Sequence, residues 1–300
     1  MATHDLTEPD LAGPGSGRAS GLVRSLRGLR RGGGILILAL VGLAIGVGAV
    51  LLVGPRLAGE PGVPEIPAQG VSEGPAGEGL LLTGESLLKR DLSGAQLANA
   101  DLFRADMRGT DLTGADLRWA RLTGADLRRA DLTDADLRAA SINGARMRRA
   151  TLSGADLRGA SIRGGNLNDA TLVGVIAENV RFAGIGMTGA DISGARLGGA
   201  ILLAAKLRGA SLSGADLREA RLDDADLSAV GLDDADLRGA DLRGANLNGA
   251  FMLRANLSGA QLEGADLRDA LIDGASFTGA SADGTTLWPD GFDPFTAGVT

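Results

Sequence analysis

Residues 111–140 read DLTGADLRWARLTGADLRRADLTDADLRAA, six units of five residues with leucine at the second place and alanine at the fifth. Leu112, Leu117, Leu122, Leu127, Leu132 and Leu137 alternate with Ala115, Ala120, Ala125, Ala130, Ala135 and Ala140. A period of five is neither the 2 of a strand nor the 3.6 of a helix, so no single amphipathic element accounts for it. It is also shorter than a leucine-rich repeat and one residue shorter than a hexapeptide repeat. Working outward, the phase holds without insertion or deletion from Leu92 to Phe277. Of 38 centre positions in that span 27 are Leu, and of the 38 small positions from 95 to 280, two residues before a centre, 32 are Ala. One large and one small apolar residue per unit is what a narrow tube needs to fill its interior. Gly, Asn or Asp recurs between them, as at Gly94, Asn99, Gly109, Gly114 and Asp134, where a corner needs a residue that tolerates turn geometry.

The unit Ala-Asp-Leu-x-Gly, as in Ala115-Asp116-Leu117 and Ala155-Asp156-Leu157, resembles the A-(D/N)-L-x-x motif of the pentapeptide-repeat family over residues 80–287. The resemblance implies an all-β fold, a right-handed quadrilateral β-helix with four units per coil. It also implies that the centre and the small residue face inward and the other three outward. Ten coils stacked at the strand spacing of about 4.8 Å predict a rod roughly 48 Å long. Leu80-Leu81-Leu82 and Leu87-Leu88 are in phase and are expected to close its N-terminal end, and Leu287 is expected as its last centre. Residues 288–300 begin Trp-Pro-Asp-Gly-Phe-Asp-Pro, similar to endings in that family. They are expected to form a cap in which Trp288 and Phe292 plug the open apolar end. Between 175 and 187 the small position becomes Val175, Val180 and Ile185 while a centre becomes Ala177, an exchange of volume through which the rod should continue.

Three segments precede the repeats. Residues 1–31 are a polar, arginine-bearing tail. Within 32–54, Ile35 to Val53 is a nineteen-residue run without charge or proline, the length of a transmembrane helix. Arg18, Arg24, Arg27, Arg30 and Arg31 precede the run, while only Arg56 follows closely, before Glu60 and Glu65. The positive-inside bias predicts a cytoplasmic N-terminus and an extracytoplasmic repeat domain. The run is longer than a signal-peptide core and no A-x-A site follows it, so an uncleaved anchor is expected over a cleaved signal. Residues 55–79, with Pro55, Pro61, Pro64, Pro67 and Pro75, read as an extended tether.

Composition excludes several functions. With no Cys, no Tyr and one His in the polar tail (His4), the chain lacks the usual nucleophiles and acid–base groups. No catalysis, cofactor or metal is expected. The 20-residue coil predicts two arginine ladders on opposite sides, Arg108, Arg128, Arg148 and Arg118, Arg138, Arg158, flanked by aspartates. An outward apolar patch of Phe251, Leu253 and Leu271 is a candidate interaction site, and a homodimer contact is one use for it. The expected function is a membrane-anchored scaffold or protein–protein interaction rod with an unspecified protein partner. Two alternatives stand beside it: a DNA-mimicking regulator of DNA gyrase or another topoisomerase, as some members of the family are, and a structural envelope protein without a discrete partner. Residues 80–300 carry 30 Asp and Glu against 24 Lys and Arg, a weak excess for a DNA mimic, and no basic face is expected that would bind nucleic acid.

Overall fold

The computed structural model describes residues 79–300. The tail 1–31, the predicted span 35–53 and nearly all of the 55–79 tether lie outside the described residues. Among the described residues no helix is long and apolar enough to cross a membrane.

Each five-residue unit folds as one side and one corner of a square coil. In the unit Asp101–Ala105, Asp101 lies in the side and Leu102 opens a turn that Ala105 closes, its N–H donating to the Leu102 carbonyl at 3.1 Å. Arg104, third in that turn, has φ +54°. Positive φ at the third place alone is the signature of a type II turn, and it recurs at every corner from Gly84 to Gly279. The chain then advances one coil in 20 residues. Parallel single-residue bridges join Leu81 to Asp101, Asp101 to Arg121 and so on up four columns. We number the sides by their columns: side 1 from Leu81, side 2 from Ser86, side 3 from Asp91 and side 4 from Gln96.

The ladder explains why the units want an acidic or amide residue before each leucine. Three of the five N–H groups donate to the neighbouring coils and the fourth closes the turn. The fifth, on the residue after the leucine, has no carbonyl in reach. An aspartate two residues earlier accepts it: Phe103 N–H to Asp101 Oδ1 at 3.0 Å, Thr113 to Asp111 at 2.9 Å and Thr133 to Asp131 at 3.0 Å. Asparagine does the same at Asn166 and Asn256. Where the local acceptor is missing, the coil before supplies one, as Asn143 does for Arg163 and Asp233 for Leu253. This is a backbone-satisfaction role, as a buried or half-buried amide needs a partner.

Centre and small residues form one continuous core from Leu82 to Ala280. The volume exchange holds: Val175, Ala177, Val180 and Ile185 are all fully buried, and the bridges Asp156–Ile176, Ser161–Arg181 and Asn166–Gly186 run through it unbroken. The local ladder is nevertheless looser there. Ile162 N–H reaches the Arg181 carbonyl only at 3.3 Å and Val180 N–H reaches Ala177 at 3.3 Å. No hydrogen bond closes the corner at Gly165, the one small position filled by glycine. Thr110 takes a small position and turns its hydroxyl to the Leu87 carbonyl at 2.8 Å, which satisfies it inside the tube.

At the C-terminal end one expectation is corrected. Leu287 is not a centre: it is half-exposed and bridges Asp266 across 21 residues. One extra residue between Ser281 and Leu287 shifts the phase. Thr286 thereby takes the small position, its hydroxyl donating to the Leu262 carbonyl at 2.8 Å, and Trp288 takes the centre. The indole needs the larger opening at the end of the tube, where no further coil confines it. Trp288 packs edge-on to Phe277 at 5.6 Å, and Phe292 lies 5.2 Å from Phe277 and 4.9 Å from Trp288. The expected plug is formed. Residues beyond it return to the last coil, where Gly279 N–H donates to Gly298 and Thr300 N–H to Ala280, both at 2.8 Å.

Candidate interaction surface

A filled tube leaves no interior for chemistry, so the outward positions carry whatever the rod does. A void of ≈ 10 Å³ beside Phe182 and Val175 is lined only by apolar side chains and has room for no organic ligand. Among the described residues no group of His, Cys, Asp or Glu is placed to hold a metal ion.

The arginine ladders form on opposite sides, but pairing differs between them. On side 4, Arg118, Arg138 and Arg158 each grip the aspartate two residues earlier, with Nη2–Oδ2 distances of 2.6 Å to Asp116, Asp136 and Asp156. Each of the first two also approaches the next coil's aspartate, Arg118 to Asp136 at 3.6 Å and Arg138 to Asp156 at 3.8 Å. Side 2 begins in the same way, Arg108 with Asp106 at 2.7 Å and Arg128 with Asp126 at 2.6 Å. At the next coil residue 146 is arginine rather than aspartate, so Arg148 turns to Asp169, 3.0 Å away, which Arg149 also approaches at 3.6 Å. The same two-residue pairing continues at Arg218–Asp216, Arg238–Asp236, Arg243–Asp241 and Arg268–Asp266. Hydrogen bonds from the guanidinium hold the Asp116, Asp156 and Asp241 carboxyls below their ordinary value of 3.8.

The apolar candidates lie together on side 3. Phe251 and Leu271 bridge directly, with exposures of 47% and 57%, and Leu253 is 40% exposed beside them. Sequence reasoning did not single out Trp119, which is 57% exposed at a corner with φ +56° and has the Arg118 guanidinium 5.4 Å from its ring centre. Nor did it find Phe103, flanked by Arg104 at 5.0 Å and Arg121 at 4.8 Å. The signal was available: both aromatics occupy turn positions, which point outward in this fold.

The fold and its outward-facing chemistry define a filled β-solenoid that presents its polar and charged groups on its outer sides. The model of pentapeptide repeats matches successive stretches spanning residues 91–288, and the chain belongs to the pentapeptide-repeat family. Members of the family fold as right-handed β-helices and are typically structural or interaction proteins rather than enzymes. Among solved structures the chain is similar to HetL, a pentapeptide repeat protein involved in heterocyst differentiation regulation in Nostoc sp. strain PCC 7120. The two are 31% identical, with 70% of this chain and 92% of HetL covered and a TM-score of 0.42. A second Nostoc pentapeptide repeat protein is 38% identical over 37% of this chain and 83% of its own, with a TM-score of 0.25. QnrB1, a plasmid-mediated fluoroquinolone resistance protein, is 18% identical over 69% of this chain and 92% of its own, with a TM-score of 0.34. No curated protein sequence matches the chain.

Proposed function

We propose that the chain is a non-catalytic, membrane-anchored rod that engages proteins through its outer sides. The observation that carries this reading is the division of labour in the fold. The apolar side chains at the centre and small positions of the coils are consumed by one core, and the outer sides carry the polar and charged groups with a few exposed apolar ones, Trp119 and Phe251 among them. The apolar run 35–53, with five arginines before it, supports anchoring with the N-terminus in the cytoplasm and the repeats outside. Reporters fused after Thr300 test the topology: a periplasmic-type reporter is expected to be active and a cytoplasmic one silent, and the reverse pattern overturns the anchored reading. Affinity capture of the full chain from membranes tests the interaction role, with retained partners expected to elute as salt rises, since exposed charges are screened over about 8–10 Å. The DNA-mimic alternative demands a uniformly acidic rod. The lysines and arginines that side 2 carries, Lys89, Arg129, Arg146 and Lys206 among them, count against it. Potent inhibition of purified gyrase by the protein would reinstate it.

A further inference from the structure

The cation–π contacts among the described residues all gather on one part of the rod, the first coils of side 1 and the corner that leads into it. There Arg104 and Arg121 flank Phe103, and Arg118 lies over Trp119. Leu81, one coil above Asp101 in the same column, is 78% exposed. Arg121 shares its charge with Asp101 at 3.1 Å, while Arg104 makes no ion pair among the described residues. The patch is therefore aromatic and apolar, with an excess of positive charge. From Trp119 the chain reaches Thr123, the residue beneath Phe103, in four residues, which sets the two rings roughly 10 Å apart.

A segment of matching chemistry stands just before the coils. Glu60-Pro61-Gly62-Val63-Pro64-Glu65-Ile66-Pro67 places proline every third residue. That is the period of a polyproline II helix, so Pro61, Pro64 and Pro67 share one face and Val63 and Ile66 the next. One turn of such a helix rises about 9 Å, close to the separation of the rings. Aromatic surfaces recognise proline-rich segments because these are already fixed in conformation and lose little entropy on docking. The charges match as well: residues 55–79 carry Glu60, Glu65, Glu73 and Glu78 against Arg56 alone. The point of attachment is also close. Gly79 sits against the Asn99 carbonyl, and Trp119 follows Asn99 one coil later at the same corner, so the tether joins the rod about 10 Å from the patch. Between Pro67 and Gly79 the chain has glycine at Gly70, Gly74 and Gly77, and a flexible linker of that length spans about 20 Å. We propose that the patch on side 1 binds the chain's own Pro61–Pro67 segment, with the prolines on Phe103 and Trp119 and the glutamates toward Arg104 and Arg121. The inference stands apart from the anchored reading, because the contact lies within one chain whichever side of a membrane the rod occupies.

Trp119 and Trp288 are the two tryptophans of the chain, so the Trp119→Phe variant supplies the Trp288 signal and the difference reports Trp119. In the purified full-length protein at low salt, acrylamide is expected to quench Trp119 several-fold more strongly in P61S/P64S/P67S than in the wild type. Equal quenching overturns the proposal. A peptide of residues 58–70 should restore the shielding of Trp119 in that variant at mM concentration, the level at which a short flexible linker presents its own segment. No response to mM peptide overturns the proposal too. The absence of cysteine allows the site to be mapped. Glu65→Cys with Thr123→Cys on side 1 should form a disulfide within one chain about tenfold more readily than Glu65→Cys with Ser153→Cys on the opposite side 3. Equal yields, or a disulfide that joins two chains, would overturn the assignment of the patch to this segment.

Discussion

At the residue scale, the fold rests on two inward positions per unit, each with its own steric limit. Leu157 and Ala155 are fully buried neighbours in the wall of the tube. Leu157→Ala should destabilise by about 2–5 kcal/mol, because coils held by a backbone ladder cannot collapse onto the cavity. Ala155→Leu should destabilise by about 1–3 kcal/mol through overpacking. Denaturant midpoints measure both. The outward corner position has the opposite tolerance. Ala139 sits there with φ +59°, a region that costs a residue with a Cβ roughly 1–2 kcal/mol and glycine little. Ala139→Gly is therefore expected to stabilise, by about 0.5–1 kcal/mol once the extra chain entropy of glycine is subtracted. A lower melting temperature for that variant would contradict the corner geometry.

At the scale of the five-residue unit, aspartate has two separable tasks. Asp131 accepts the Thr133 N–H at 3.0 Å and its hydroxyl at 2.6 Å, with no cation in an ion pair. Asp131→Asn should thus be close to neutral, as asparagine already fills this place at Asn166 and Asn256. Asp131→Ala should cost about 0.5–1.5 kcal/mol, the worth of one such bond. Asp116, Asp156 and Asp241 add the guanidinium pair, and their folded pKa values lie below 3.8. A carboxyl depressed on folding lends stability that is present above its unfolded pKa and is lost as pH falls through the folded one. The melting temperature should accordingly be flat above about pH 5 and fall as pH drops below 4. A rod whose stability rose on acidification would exclude the pairing.

Across the whole molecule, stability adds up from coil to neighbouring coil, so its weakest seam matters more than its average. That seam lies where Val175, Val180 and Ile185 replace alanine: the ladder stretches to 3.3 Å at Ile162 and the corner at Gly165 is not closed by a hydrogen bond. Hydrogen exchange should find the amides of 159–165 and 178–184 less protected than those of 115–135, since local opening begins where contacts are fewest. Uniform protection along the rod would refute the seam.

The pentad from Leu92 to Phe277 determined the coil, the inward and outward positions and the family by itself, and the Trp288–Pro294 ending determined the plugged end. It could do so because the core of a solenoid is a local quantity, one large and one small residue per unit, repeated until nothing else fits. The same reading took Leu287 as a centre, because period alone cannot see a single extra residue; only packing decides that the indole of Trp288, not Leu287, meets Phe277. It read the aspartates as surface charge, because the N–H left over after three ladder bonds and a turn is visible only once the coil is built. The destination of Arg148 and the stretched ladder at Ile162 belong to the tertiary structure for the same reason. Each depends on what residues 20 places away bring alongside, and stacking turns that distance in sequence into a separation of one strand spacing, about 4.8 Å.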